Sequence, residues 1–423
     1  MHMFETYKLH NGAQVCLVPL KDAQSITVLI MYPVGSRYET QKLNGVSHYI
    51  EHLFFKGTKK RPTTLKLTSE IDRLGAEYNA FTSKEYTGYY IKSAAKYLGT
   101  SLDILSDMLF NSLFDAKEME REKKVVAEEI KMYNDNPLMH IDSVFEGALY
   151  DGSPLGWDIA GTVKHVLGYS REDVLKYRET HYYPGAMNII IAGAIDSETK
   201  QLVEQYFGSI TSRAYAHRSY KPVVFGSAKK EDRVVIDHKT TDQVQMMLGF
   251  PSFSHTDPAL HTQTVMNTIL GGSMSSRLFI QIRERRGLAY MVRSGADQFR
   301  DTGYTFIRAG LEAKNINKAL SVIEAEIEKM IEKGPTSKEL EDAKTHIRGS
   351  FTLSLEDSST QANYYARELL FHPTIETPDE LLQKIDAITR EDVMRIAKKL
   401  FKPKAARLAI IGNVDRSQIK FTF

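Results

Sequence analysis

The sequence predicts an α+β protein of two homologous halves, each a mainly antiparallel sheet packed with helices. Three observations lead there. The first is an internal repeat: Ser170 to Asp196 (SREDVLKYRETHYYPGAMNIIIAGAID) aligns without a gap to Thr389 to Asp415 (TREDVMRIAKKLFKPKAARLAIIGNVD). Each copy reads as a capped helix, a loop containing proline, and an apolar strand ending near glycine. The second is size, because a chain of 423 residues exceeds the roughly 250 to 300 at which single cores stop growing. Halves at 1–215 and 216–423 are expected, joined through the polar and basic stretch Arg213 to Arg233 with its Pro222 and Gly226. The third is the order of runs, in which hairpin-like strand pairs are interleaved with helices instead of alternating as βαβ units.

Taken along the chain, Gln14 to Val18 is an apolar stretch holding the only cysteine, Cys16, and predicts a core strand. Ser25 to Tyr32 and Glu85 to Lys92 are further strand-like runs. Helices are expected near Gly45 to Phe55, Thr68 to Leu74, Lys96 to Leu109 and Lys117 to Tyr133.

The helix near Gly45 to Phe55 carries the chemistry. A helix advances about 100° per residue, so with His48 at 0° His52 falls near 40° and Glu51 near 300°. Val46, Tyr49, Ile50, Leu53 and Phe54 fall between roughly 100° and 240°, an apolar arc for a core. Histidines at i and i+4 can both reach one Zn²⁺ through a ring nitrogen at about 2.0–2.1 Å, with a glutamate beside them to handle a proton. A catalytic zinc usually takes three protein ligands, and a lone buried cysteine is a poor source of the third. The acidic run from Glu118 to Ile130 is a better one. Its helical phase places Met119, Val126, Ile130 and Tyr133 on the buried arc, Glu122 and Glu129 at the border of that arc, and Glu128 toward solvent. Glu129 is the expected ligand and Glu122 the carboxylate that orients a ligand histidine.

His48-Tyr49-Ile50-Glu51-His52 is an H-x-x-E-H inverted zincin motif, and with Glu129 on a helix well downstream of His52 it resembles the pitrilysin family of metallopeptidases. That family includes insulin-degrading enzyme, the mitochondrial processing peptidase and small bacterial two-domain relatives. The flanks Asn44-Gly45-Val46-Ser47 and Phe55-Lys56-Gly57-Thr58 resemble the family too, as does Asn79-Ala80-Phe81-Thr82. The resemblance implies one zinc per chain on His48, His52 and Glu129, base catalysis by Glu51 and support from Glu122. It implies α+β halves, and extended peptide held as an added strand along the segment Asn79, Ala80, Phe81 and Thr82. In the second half, Ile282-Arg283-Glu284-Arg285-Arg286-Gly287-Leu288-Ala289-Tyr290 resembles the family's arginine and tyrosine pair, which maps to Arg283 and Tyr290. A guanidinium suits a carbonyl or carboxylate, and a phenol can donate to a developing oxyanion. Small relatives pair chains, so a homodimer is expected in which the second half acts in trans. The activity implied is a zinc-dependent endopeptidase acting on extended or unfolded peptides, whether in processing or in degradation. Some relatives are instead non-catalytic presequence-binding or scaffolding subunits.

The shift that carries Ser170 to Thr389 also carries His48, Glu51, His52 and Glu129 to Asn267, Leu270, Gly271 and Arg348, so the second half is expected to lack the zinc site. Lys+Arg of 55 against Asp+Glu of 53 leaves a net charge of +2, without the basic footprint of a nucleic-acid binder. Apolar runs such as Met187 to Ile195 fall far short of the roughly 20 residues a membrane helix needs. One cysteine excludes an intrachain disulfide framework. The sequence after Met1 has the marks of neither a signal nor a transit peptide, and a cytoplasmic protein is expected.

Overall fold

Strand assignment follows the apolar runs. The structure, a computed structural model, describes residues 4–213, 215, 216, 219–225 and 231–423. The chain divides into two units. The first draws on Met1–Met132, Trp157–Tyr220 and Ser354–Ile375, and the second on Tyr133–Gly156, Lys221–Leu353 and Glu376–Phe423.

In the first unit, β1 (Glu5–Lys8), β2 (Gln14–Pro19), β3 (Ser25–Tyr32), β4 (Glu77–Thr82), β5 (Thr87–Ala94) and β6 (Asn188–Gly193) form a sheet in the order β1-β2-β6-β3-β5-β4. Only β2 and β6 run parallel. In the second unit, β7 (Val234–Asp237), β8 (Val244–Ser252), β9 (Ala289–Gln298), β10 (Gly303–Leu311) and β11 (Arg407–Ile411) run β7-β11-β8-β10-β9, with only β7 and β11 parallel. Setting β1 aside, the two orders are the same. The repeat register maps the helix Arg171–His181 onto Arg390–Leu400 and the start of β6 onto the start of β11. Both helices are capped as the repeat predicts, Ser170 accepting from the Asp173 N–H and Thr389 from the Asp392 N–H.

The central strands are buried on both faces, which is why they lack polar alternation. Ile26, Val28 and Ile30 of β3, with Ile189 and Ile191 of β6, face the main core of the first unit. Leu29 and Met31, with Ile190, Ala192 and Cys16, face a second layer closed by Ala362, Tyr365 and Ala366 of the helix Ser358–Phe371. That helix comes from the second half of the sequence. The second unit has the reciprocal arrangement: Met247 of β8 and Ala409 and Ile411 of β11 pack with Ile141, Phe145 and Leu149 of the helix Pro137–Leu149, from the first half. A single cut between 215 and 216 therefore does not describe this exchange of helices. Of the expected connector 213–233, residues 214, 217, 218 and 226–230 lie outside the described residues.

Some boundaries differ from expectation for local reasons. The strand expected from Glu85 begins at Thr87, because Ser83 N–H bonds Tyr86 O across a turn. The helix expected from Thr68 begins at Thr64, where the Thr63 side chain caps it by accepting from Lys66 N–H. Tyr133, expected on the buried arc, is 38% exposed, since the chain leaves the first unit after Met132. Among the described residues no helix is long and apolar enough to cross a membrane.

Candidate metal centre

The site is built on the helix Val46–Leu53. Its N-terminus demands glycine: Gly45 has φ 95°, and a Cβ there would lie 2.3 Å from the Ala160 carbonyl oxygen. Glu39 then takes the orphan donors of the first turn, one oxygen accepting from Gly45 N–H at 2.7 Å and the other from Ser47 N–H at 2.8 Å. Burial pushes this carboxyl up to about 7 in spite of those N–H bonds. Val46, Tyr49, Ile50, Leu53 and Phe54 are all buried, as the helical phase predicts. With that face fixed, His48, Glu51 and His52 share the opposite arc.

Tyr49 ties this helix to the next one that matters, its hydroxyl donating to Met119 O at 2.6 Å on the helix Ala116–Asp135. Along that helix Met119, Glu122, Val126 and Ile130 are buried. Glu128 points outward, paired with Lys131 at 2.7 Å. Glu129 lies between these extremes and reaches both histidines. Its oxygens stand 3.8 Å from His48 Nε2 and 3.2 Å from His52 Nε2, and one ligand atom from each residue lies within 4.8 Å of the others. Two donors on one tetrahedral ion at about 2.0–2.1 Å stand roughly 3.3 Å apart, so these residues fit a zinc ion. The donor set, two imidazoles and one carboxylate, is also that of zinc.

The two imidazoles are shifted in opposite directions. His48 is pushed down to about 4, first by burial and then by the neighbouring His52. Burial also opposes charge on His52, but hydrogen bonds to Glu122 and Glu129 outweigh it and lift this imidazole to about 9. Glu129 is held below its usual range by its hydrogen bond with His52, against burial. Glu122 completes the pattern from behind: its Oε1 is 2.8 Å from His52 Nδ1, which leaves Nε2 directed at Glu129.

Glu51 is outside the ligand triangle. Burial raises its carboxyl, opposed by a hydrogen bond from the Thr82 hydroxyl to its Oε2 and by the charge of His52. Thr82 ends β4, the outermost strand of its sheet, which also carries Asn79, Ala80 and Phe81. The Asn79 side chain accepts from the Ala80 N–H at 2.9 Å. Thr82 therefore positions Glu51, a role the sequence did not suggest. Lys56, whose ammonium is 2.7 Å from the second Glu122 oxygen, and Glu39 were missed as well. No local pattern marks either, since both act on residues distant along the chain or across a loop.

Arg283 and Tyr290 form a pair within the second unit. Arg283 lies in the π-helical turn Phe279–Glu284, its guanidinium 4.8 Å from the ring centres of both Phe279 and Tyr290. Tyr290 is 73% exposed. The positions that the repeat register sets against His48, Glu51 and Glu129 make other contacts. Asn267 accepts a bond from the Thr305 hydroxyl at 3.0 Å, Leu270 is in the core, and Arg348 pairs with Asp386. Among the described residues His48, His52 and Glu129 form the group able to hold a metal.

Known proteins share this organisation. Residues 15–163 match the family model described as insulinase (peptidase family M16), and residues 168–347 match the peptidase M16 inactive domain. An uncharacterized zinc protease of Bacillus subtilis, YmxG, is 35% identical over 97% of this chain and 98% of its own length. One from Streptomyces coelicolor is 32% identical over 97% and 90%. A protease from Helicobacter pylori superposes with a TM-score of 0.88 at 25% identity, covering 97% of this chain and 99% of its own. An M16 inactive-domain structure from Pseudomonas fluorescens has the same fold, at TM-score 0.88 and 18% identity over 97% and 98%. Identities of 35% and 32% over 97% of the chain to proteins named uncharacterized zinc proteases, together with matches to both family models, make this chain a member of the insulinase family, peptidase family M16.

Proposed function

We propose that the chain is a zinc-dependent endopeptidase hydrolysing extended or unfolded peptides. The reading rests on one juxtaposition: Glu51, held by Thr82 at the end of an outermost strand, beside three side chains spaced for one zinc ion. His48, His52 and Glu129 would hold the zinc, which would supply the positive charge that acidifies a water and polarises the peptide carbonyl. Glu51 accepts the proton as the water oxygen bonds to the carbonyl carbon, and returns it to the nitrogen as the C–N bond breaks. Its raised carboxyl suits both halves of that exchange. β4 offers main-chain groups to an extended peptide, a mode with little sequence preference.

Two further parts belong to this reading. Arg283 grips a substrate carbonyl, and Tyr290 donates to the developing oxyanion. Two chains pair as a C₂ homodimer, each lending these residues to the other's zinc site, in the cytoplasm. The inactive-domain match, residues 168–347, includes Arg283 and Tyr290 and none of His48, His52 and Glu129.

Incubating the purified chain with an unstructured peptide, with and without a chelator, tests the activity. Chelator-sensitive cleavage is expected, and a zinc-loaded chain that cuts nothing would favour a non-catalytic subunit. Mapping the cuts separates a processing enzyme from a degradative one. Mixing E51Q chains with Y290F chains tests action in trans, since exchange of partners then restores cleavage. A fully active monomer would exclude the dimer.

A further inference from the structure

We propose that Lys56 is a positioning residue for the metal centre, which holds Glu122 onto His52 and prevents that carboxylate from swinging toward the ion. The inference rests on the zinc reading above and assigns work to a residue outside its motif. Glu122 has two oxygens and both are engaged: Oε1 with His52 Nδ1 at 2.8 Å, and Oε2 with Lys56 Nζ at 2.7 Å. The Glu122 side chain is 5% exposed and that of Lys56 24%, so this pair is sheltered from solvent screening. Rotation of the carboxylate would break both bonds.

The backbone places Lys56 for this task. Its N–H bonds Leu53 O at 3.1 Å, which ties it to the end of the ligand helix. The next residue, Gly57, has φ +118°, and a Cβ there would sit 2.6 Å from the Pro62 carbonyl oxygen. The chain must turn at that point, which fixes where the Lys56 side chain leaves it.

Charge explains why the clamp is needed. His52 lies between two carboxylates, Glu122 on Nδ1 and Glu129 on Nε2, with Glu51 its immediate neighbour in the chain. A divalent ion attracts each of these acids. The position left for water stays open only if Glu122 is held back, and a lysine on its far oxygen supplies the opposing pull.

The test measures metal binding instead of turnover. Zinc affinity is determined by competition with a chromophoric chelator, and ligand geometry by the visible absorption of the cobalt-substituted protein. Wild type is compared with K56M, K56R, E122Q and the double variant K56M/E122Q. K56M is expected to weaken zinc about 10- to 100-fold and to change the cobalt spectrum. K56R is expected to retain wild-type affinity within about threefold, and K56M should cost little once E122Q is present. If K56M does not fold, K56Q, which lacks the charge, is read in the same way. Wild-type affinity and spectrum in the uncharged variants would overturn the role of Lys56, even where thermal stability falls. A wild-type protein that binds no zinc would instead remove the metal reading itself.

Discussion

The helix Val46–Leu53 and its repeat counterpart Leu260–Gly271 hold equivalent places beside their sheets, yet among the described residues only the first contributes to a cluster able to hold a metal. In the first, the arc opposite the core carries His48, Glu51 and His52. In the second, the corresponding positions are turned into packing. Asn267 and Leu270 are buried, and Gly271 approaches β9 so closely that a Cβ would meet Ser294 N at 2.6 Å. The space that admits the His52 side chain in one copy is occupied by strand backbone in the other. The scaffold accommodates either outcome, because both helices keep a buried apolar arc against their cores.

Breaking the first copy should have the largest effects. E129A is expected to abolish stoichiometric zinc, read by elemental analysis, while E128A leaves it unchanged. Unchanged metal in E129A would mean that the helical phase chose the wrong acid. Next comes E51Q, which is expected to retain zinc and lower kcat about 10²- to 10⁴-fold. Wild-type hydrolysis would exclude Glu51 as the base.

Smaller effects sharpen the contrast. Y290F should lower turnover on the order of 10-fold with zinc content unaltered, and an unchanged rate would make that tyrosine ordinary surface. Glu39 offers a test by pH. Its folded-state carboxyl, near 7, lies above the 4.5 of an unperturbed glutamate, so its contribution to stability is complete below about 4.5 and is lost as pH rises through 7. E39Q should therefore gain on wild type between pH 5 and 8, by up to roughly 3 kcal/mol, in denaturant midpoints. A constant gap would show that Glu39 is ionised throughout. The smallest expected change is none: grafting N267H, L270E, G271H and R348E into the second copy should create no zinc site, since the backbone of β9 leaves no room at Gly271. Zinc uptake by the graft would refute that steric account.

Much of this arrangement was legible beforehand. The gapless repeat maps one sheet onto the other, and helical phase separated Glu122 and Glu129 from Glu128 because burial on a helix repeats about every 3.6 residues. Phase did not extend to Tyr133, where the chain changes unit. The second faces of β3 and β6 were visibly apolar, but nothing local says which helix covers Leu29 or Ile190. In the structure the cover is Ser358–Phe371, which the chain reaches only after building most of the second unit.

Self-similarity along the chain therefore determined the two-fold repeat, and helical periodicity the shared face of His48, Glu51 and His52 and the preference for Glu129 over Glu128, because those depend on spacing along one backbone. Tertiary structure alone decided the exchange of helices, the bond from Thr82 to Glu51, and the hold of Lys56 on Glu122. Each of these joins groups whose separation in sequence carries no period, and only folding brings such groups within hydrogen-bond reach.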